Sequence, residues 1–128
     1  NLRRSMGKLY ESVLTNSELL RPQYEPEGYY YTYYTFSARF EGAKFKVSWE
    51  QFREKYIENG GDGIYAASKL LFQEPIFKEK NIGFGDTPTA VKLQKSLMNF
   101  TTNQSNKEDQ NIQRDALIAT LKYFGDST

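Results

Sequence analysis

The sequence contains no cysteine and no histidine among its 128 residues. Without cysteine the chain has neither disulfides nor thiol chemistry. Without either residue it lacks the usual zinc ligand sets and every Ser-His or Cys-His nucleophile arrangement. Carboxylates alone could hold Mg²⁺ or Ca²⁺, but Asp62 near Glu58 lacks the alternating ligand spacing of a calcium loop. We therefore predict no metal site, and any chemistry by this chain alone must use Lys, Tyr, Asp or Glu.

The sequence also lacks an excess of charge and any long apolar run. Its 17 basic and 16 acidic residues are interspersed and give a net charge of +1, which argues against a nucleic-acid partner. No apolar run approaches the length of a membrane span, so we predict no membrane partner. The sequence does not open with a charged segment followed by an apolar one, and a cytoplasmic location is the expectation. Because it begins at Asn1 rather than Met, we expect a piece of a longer protein.

Aromatic residues are abundant, and half of the 10 tyrosines lie between Tyr29 and Tyr34 in the stretch YYYTYYTFSARF. From Tyr33 onward apolar and polar positions alternate, which predicts a β-strand. The inward face should carry the apolar even positions Tyr34, Phe36, Ala38 and Phe40. The first three tyrosines, Tyr29 to Tyr31, do not follow the alternation, and a ligand or subunit contact there is as plausible as a plain strand entrance.

Apolar periodicity predicts helices on both sides of this strand. A first amphipathic helix lies in the segment 1–20 and should end near Asn16 or Ser17. Ser48 to Gln51 form a capping box at the start of a second helix. That helix should stop at Asn59-Gly60-Gly61 and lead into a short strand, Ile64 to Ala67. A short helix should begin at Pro75.

Two further helices are predicted in the C-terminal third. The first should start with Thr87 and Pro88 and carry one apolar face. That face comprises Ala90, Leu93, Leu97 and Phe100. The last should be capped by Asn106 and stopped by Gly125. Its inward residues should be Ile112, Ala116, Ala119 and Tyr123, flanked by Leu117, Leu121 and Phe124.

Together these elements predict an α+β fold with a small antiparallel sheet covered by several helices. A chain of 128 residues is long enough for one core, so we expect residues 1–128 to form a single domain. The glycines of Gly60 to Gly63 follow a helix, and they favour a helix stop over a phosphate cradle. Lys69 has no neighbours that suggest a Schiff base, and a solvated lysine is the better interpretation.

Three segments in this order resemble a known family. They are WEQFREKYIENGGDGIYAA from Trp49, QEPIF from Gln73 and DTPTAVKLQKSLMNFTTN from Asp86. With the leading helix and the tyrosine-rich strand, they are similar to the C-terminal small domain of the DegT–DnrJ–StrS family. This family comprises sugar aminotransferases that depend on pyridoxal phosphate. The resemblance extends across essentially the whole chain and implies the small domain of a fold-type-I aminotransferase.

The resemblance implies a function for the parent protein rather than for this chain alone. The parent would transfer an amino group, from glutamate, to a nucleotide-linked keto-sugar. Its large domain would bind most of the pyridoxal phosphate and supply the Schiff-base lysine, so the resemblance implies no catalytic residue here and an inactive isolated chain. The segment 1–20 would link the large domain to the small one, and the full protein would be a homodimer.

The resemblance also implies substrate contacts at Tyr30 and Tyr31, and at Tyr65. The family often has a histidine near this strand entrance, where the present chain has only tyrosines. The sugar, the aminated carbon and the choice between aminotransferase and dehydratase stay open. A stand-alone sugar- or protein-binding module is the alternative function. A carboxylate-based hydrolase is disfavoured because no acids are paired at suggestive positions.

Overall fold

The computed structural model describes residues 2–66, 69–83 and 87–127, which contain six α-helices and four strands. The helices are α1 (Leu2–Val13), α2 (Gly42–Phe45), α3 (Trp49–Glu58), α4 (Pro75–Glu79), α5 (Pro88–Gln94) and α6 (Lys107–Tyr123). The strands are β1 (Leu20–Pro22), β2 (Phe36–Phe40), β3 (Ile64–Tyr65) and β4 (Leu97–Phe100). A 3₁₀ turn occupies Leu71–Gln73.

The four strands form one antiparallel sheet in the order β1-β2-β4-β3. Residues alternate between the two faces of a strand, so β2 and β4 share a buried face. That face carries Phe36, Ala38 and Phe40 on β2 and Met98 and Phe100 on β4, all at most 7% exposed. The predicted α+β class with a small antiparallel sheet is confirmed.

The strand β4 corrects the prediction that the helix beginning at Pro88 continues to Phe100. Helix α5 ends at Gln94, and Leu97–Phe100 pairs with β2 on one side and β3 on the other. The spacing of Leu93, Leu97 and Phe100 fits a helical face, but Met98 and Phe100 also alternate with Leu97 and Asn99. Pairing with two neighbouring strands satisfies the backbone on both edges, and this tertiary gain outweighs the local helical pattern.

The tyrosine-rich strand is shorter than predicted and begins at Phe36. The prediction that Tyr34 points inward is wrong, because its side chain is 79% exposed whereas Tyr33 is 5% exposed. Tyr33 adopts a left-handed backbone conformation with φ of 52°, which interrupts the extended chain. The alternation therefore changes phase between Tyr33 and Phe36, and the even-face prediction holds only from Phe36 onward.

Helices α1, α3 and α6 contribute the rest of the core. The predicted capping box is confirmed: Ser48 Oγ accepts from the Gln51 backbone N–H, and Gln51 Oε1 accepts from the Ser48 backbone N–H. The predicted stop of α3 at Asn59-Gly60-Gly61 is confirmed as well. Helix α1 packs its apolar face within this chain, since Met6 and Tyr10 are fully buried.

Helix α6 begins after the Asn106 cap as predicted, but its inward face differs from the prediction. Ala116, Leu117 and Leu121 are buried, as expected. Ile112 and Tyr123 are instead 48% and 65% exposed, and Ala119 is exposed too. Their places on the inward face are taken by the polar residues Gln110, Gln113 and Thr120.

Those buried polar side chains are hydrogen-bonded, so their burial costs little free energy. Gln113 Oε1 accepts from the Tyr56 hydroxyl at 2.7 Å and from the Asp62 backbone N–H at 2.8 Å. The Tyr10 hydroxyl lies 3.3 Å from that of Tyr56 and donates to the Thr101 carbonyl. A chain of hydrogen bonds thus runs through the core from α1 to α3 and α6.

The segment between β3 and β4 lies mostly at the surface. The 3₁₀ turn, α4 and α5 contain no buried residue among those described. Pro75 and Pro88 begin α4 and α5 as predicted, although the Thr87 side chain makes no capping hydrogen bond. The predicted strand at Ile64 is confirmed as Ile64–Tyr65, whereas Ala67, its predicted last residue, lies outside the described residues. No described helix is both long and apolar enough to cross a membrane.

Candidate functional site

The segment Tyr29–Tyr34, between β1 and β2, presents aromatic side chains at the surface. Tyr29, Tyr30 and Tyr34 are 69%, 76% and 79% exposed. These three exposed rings lie within six residues of one another, and the segment is therefore a candidate interaction surface. A cleft of about 240 Å³ opens beside them, lined by Glu11, Gln23 and residues 31–37.

Tyr33 fixes this segment to the core. Its ring stacks with that of Phe36 at 6.4 Å between centroids, and a side chain at Gly7 would overlap it. Its hydroxyl donates to Glu11 Oε1, and its carbonyl accepts from the Thr102 hydroxyl at 2.6 Å. Burial, followed by the hydrogen bond to the Glu11 carboxylate, raises the pKa of the Tyr33 hydroxyl. The Tyr33 ring therefore fixes this segment to the core and does not face a ligand at the surface.

Two arginines of α1 lie against the exposed rings. The guanidinium of Arg3 is 5.2 Å from the centroid of Tyr34, and that of Arg4 is 5.4 Å from the centroid of Tyr30. Arg3 Nη1 also donates to the Tyr34 carbonyl at 2.8 Å and contacts the Thr102 hydroxyl at 3.4 Å. We call these four residues, Arg3, Arg4, Tyr30 and Tyr34, the arginine–tyrosine surface.

The arginine–tyrosine surface carries two positive charges, and Arg4 interacts through space with the Glu25 carboxylate. Among the described residues, neither Arg3 nor Arg4 forms an ion pair with a carboxylate. Both side chains are half-buried against the protein, which positions their guanidinium groups. Guanidinium groups bind phosphate and carboxylate in a planar, bidentate geometry, and exposed rings stack on bases and sugars. This arrangement can therefore hold a ligand that has both an anionic and a planar or cyclic part.

The third cation of α1, Lys8, is neutralised locally. Its Nζ lies 2.8 Å from Glu11 Oε2 and 2.9 Å from Glu25 Oε2. These contacts raise the pKa of Lys8, and the hydrogen bond from Lys8 is the main reason for the lowered pKa of Glu25. Glu25 Oε1 accepts from the Tyr31 backbone N–H at 3.0 Å. This cluster holds the loop in place beside the arginine–tyrosine surface.

The three tyrosines predicted to contact substrate have different environments. The Tyr30 ring is exposed beside Arg4. The Tyr31 hydroxyl donates to the Tyr24 carbonyl and its ring packs edge-on against Tyr33, so its polar group is already engaged. Tyr65 is 57% exposed on β3 and stands apart from the other two. It shares a row across the sheet with Asn99 and Ser37, and lies about 10 Å from Ser37 by strand spacing.

Sequence reasoning missed Arg3, Arg4 and Tyr34 as members of this surface. The two arginines precede the tyrosines by about thirty residues, and no local pattern indicates that α1 passes beside them. Tyr34 was assigned to the core because the alternation extends back to it. Only the left-handed turn at Tyr33 shows that its ring faces outward.

The described residues offer no lysine suited to hold an aldehyde cofactor covalently, and no cluster of three or more potential metal ligands. A Schiff-base lysine is activated by a lowered pKa in a desolvated site. Every described lysine is half-buried or exposed, and the pKa of Lys8 is shifted upward. These residues therefore do not fit pyridoxal phosphate by themselves.

Comparison with known proteins gives similarity of fold. No protein-family model matches the sequence, and no curated protein matches it. The aminotransferase TlmJ from Streptoalloteichus hindustanus has a similar structure, with a TM-score of 0.74 and 16% identity over 94% of this chain and 31% of TlmJ. PseC from Helicobacter pylori, an aminotransferase of pseudaminic acid biosynthesis, gives a TM-score of 0.70 and 11% identity over 94% of this chain and 32% of its own.

A third similar structure is Spr1654 from Streptococcus pneumoniae, assigned as a sugar aminotransferase and solved in its PMP form. Its TM-score is 0.64 with 19% identity, over 94% of this chain and 30% of its own. This chain thus spans about a third of the length of each of these enzymes. The fold of this chain is that of one part of aminotransferase structures, a mixed helix and strand unit built on a four-stranded antiparallel sheet.

Proposed function

We propose that this chain is the small domain of a pyridoxal-phosphate-dependent aminotransferase that acts on a nucleotide-linked keto-sugar. The similar structures are aminotransferases, and each contains about twice as much further chain as this one. In this proposal the parent's large domain, absent here, binds the cofactor and provides its lysine. The parent works as a homodimer, and this domain helps to bind and enclose the substrate.

The arginine–tyrosine surface is the main observation in favour of a nucleotide-sugar substrate. Such a substrate combines a diphosphate with a planar base and a sugar ring. Arg3 and Arg4 have no carboxylate partner in the described chain and can accept the diphosphate, while Tyr30 and Tyr34 offer rings for base or sugar. In this proposal Tyr31 holds the loop in shape, because its hydroxyl already donates to the Tyr24 carbonyl.

The surface between Tyr65 and Leu93 is where we propose that the large domain packs. Apolar side chains are exposed along it: Tyr65, Leu71, Ile76, Ile82, Val91 and Leu93, each 37% exposed or more. Helix α1, predicted to link the two domains, uses its main apolar face for this domain's own core. A contact with the large domain would therefore use the segment between β3 and β4.

Titration of the chain with uridine diphosphate, followed by two-dimensional NMR, tests the substrate contact. We expect shifts at Arg3, Arg4, Tyr30 and Tyr34, and binding weakened about tenfold by Arg4→Gln, which removes a charged hydrogen-bond donor. Tyr29→Ala is the matched control, because Tyr29 is equally exposed but no described cation lies over its ring. Equal losses in Arg4→Gln and Tyr29→Ala would contradict the proposed site.

The catalytic part has a separate test. The isolated chain, supplied with pyridoxal phosphate, glutamate and a nucleotide keto-sugar, should show no amino transfer. The coding sequence upstream of Asn1 should encode a lysine-bearing domain of about 250 residues, at the upper end of ordinary domain size. Amino transfer by the chain alone, or a start codon directly before Asn1 without such a domain, would instead favour an independent function.

A further inference from the structure

Two arginines face one another across the sheet, on the side opposite the core. Arg21 on β1 is the direct antiparallel partner of Arg39 on β2. Both side chains are exposed, whereas the residues that flank them on β2, Ala38 and Phe40, are buried. Like charges placed directly opposite each other destabilise a strand pair. An anion bound between Arg21 and Arg39 would relieve this repulsion and stabilise the strand pair.

The surroundings of this pair form an open cavity of about 420 Å³. Its walls come from both strands and from the chain after β1, and they include no acidic residue. The lining residues are Arg21, Pro22, Gln23, Tyr24, Ser37, Ala38, Arg39 and Leu97. Tyr24 is 79% exposed and with Leu97 provides an apolar wall next to the two guanidinium groups.

The charge of the arginine pair is only partly neutralised from within the described chain. Arg39 Nε lies 2.6 Å from Glu41 Oε1, and Glu41 is not among the residues that line the cavity. Arg21 forms no ion pair in residues 2–66, 69–83 and 87–127. The cavity therefore offers an anion the whole guanidinium group of Arg21 and the part of the Arg39 group that Glu41 does not engage.

We propose that this cavity is a second anion site, which binds a phosphate ester with an apolar or aromatic body. A phosphoryl group has enough oxygens to accept from both guanidinium groups at once, whereas the two oxygens of a carboxylate are filled by one fork. The body of the ligand lies against Tyr24 and Leu97. None of the four residues of the arginine–tyrosine surface lines this cavity, although Gln23 and Ser37 line both the cavity and the cleft beside that surface. The proposal does not rest on the proposed aminotransferase function.

NMR titration of the chain with phenyl phosphate tests the site, with inorganic phosphate, benzoate and phenol as comparisons. We expect phenyl phosphate to shift the amides of Arg21, Gln23, Tyr24 and residues 37–39. It should bind more tightly than each of the other three compounds. Arg21→Gln should weaken phenyl phosphate binding about tenfold or more. Arg114→Gln is the matched control, because it removes the same charge from α6, where Arg114 is paired with Asp115.

Thermal unfolding gives a second readout that does not depend on activity. Without ligand, Arg21→Gln should melt at the same temperature as the parent chain or higher, because the unfavourable pair is removed. With phenyl phosphate, the unsubstituted chain and Arg114→Gln should be stabilised, whereas Arg21→Gln should not. Arg4→Gln should retain phenyl phosphate binding here even if it abolishes uridine diphosphate binding at the arginine–tyrosine surface.

Three results would overturn the proposal. The first is no amide shift at about 10 mM phenyl phosphate, which is ten times the Kd of a millimolar site. The second is equal weakening by Arg21→Gln and Arg114→Gln, which would reduce the effect to net charge. The third is binding of benzoate as tight as that of phenyl phosphate, which would assign the cavity to carboxylates.

Discussion

Gly7 on α1 packs directly against the ring of Tyr33, and a Cβ at position 7 would overlap that ring. In an exposed helix interior, alanine is more favourable than glycine by about 1 kcal/mol. Here we expect Gly7→Ala to destabilise the chain instead, by about 1–3 kcal/mol, because it overpacks the contact. Urea unfolding measures this free energy.

The same substitution in a Tyr33→Ala background serves as the control. With the ring removed, the added methyl group meets no overlap, and Gly7→Ala should become neutral or stabilising. An equal cost of Gly7→Ala in both backgrounds would show that Tyr33 is not the residue that requires glycine.

The second prediction concerns Gln113, which accepts hydrogen bonds from the Tyr56 hydroxyl and the Asp62 backbone N–H. Gln113→Leu removes the acceptor of both donors and leaves the Tyr56 hydroxyl only the Tyr10 hydroxyl, at 3.3 Å, as a neighbour. A buried group without its partner costs about 1–3 kcal/mol. We expect a total loss of about 3 kcal/mol in urea unfolding. Gln110→Leu on the same helix is the matched control, because its partners, Ser5 and the Leu2 carbonyl, can turn to water. A cost for Gln110→Leu as large as that for Gln113→Leu would contradict this account.

The third prediction concerns Asp126, which is 5% exposed and joins the chain end to the start of the sheet. Its carboxylate accepts from the backbone N–H groups of Glu18 and Leu19 and from the Ser17 hydroxyl. Asp126→Ala should lower the free energy of unfolding by about 3 kcal/mol, since hydrogen bonds to a charged group are worth about 1.5–3 kcal/mol. Asp115→Ala, at an exposed ion pair, should change it by less than about 1 kcal/mol. Similar losses of unfolding free energy for Asp126→Ala and Asp115→Ala would contradict this prediction, because they would mean that the Asp126 hydrogen bonds are absent in solution.

The fourth prediction concerns alkaline unfolding. Burial raises the pKa of Tyr10 and of Tyr56 above the ordinary value of 10.0. The folded state therefore keeps these protons when the unfolded state loses them, so stability is complete below pH 10 and falls as the pH rises above it. Each tyrosine contributes a slope of up to about 1.4 kcal/mol per pH unit. Urea unfolding at increasing pH measures the slope, and Tyr56→Phe should reduce it by the contribution of one tyrosine, up to about 1.4 kcal/mol per pH unit. A slope unchanged by Tyr56→Phe would refute the assignment.

Some parts of the fold were readable from the sequence because their causes are local. The capping box at Ser48, the glycine stop after α3 and the cap at Asn106 depend on residues three or four positions apart. The alternation from Phe36 to Phe40 is likewise local to one strand. Each of these predictions is confirmed.

The errors arose where distant contacts decide the outcome. The segment Leu97–Phe100 fits a helix and a strand equally well, and only the positions of β2 and β3 select the strand. The inward face of α6 was assigned by hydrophobicity, but the buried positions of Gln110 and Gln113 depend on partners from α1, α3 and the loop at Asp62. The arginine–tyrosine surface joins segments about thirty residues apart, so no local motif could reveal it.

The central position of β4 has a consequence for how this domain is made. Phe36 on β2 pairs with Phe100 on β4, about sixty residues later, and β3 has no sheet partner other than β4 among the described strands. During synthesis, a nascent chain that ends before Leu97 holds only β1 and β2, with one edge of β2 unpaired and its aromatic face uncovered. Such high contact order slows folding and leaves that edge open to aggregation until the last strand arrives. We therefore expect the sheet to form late and all at once, so that a truncation at residue 96 removes the whole fold rather than one of its strands.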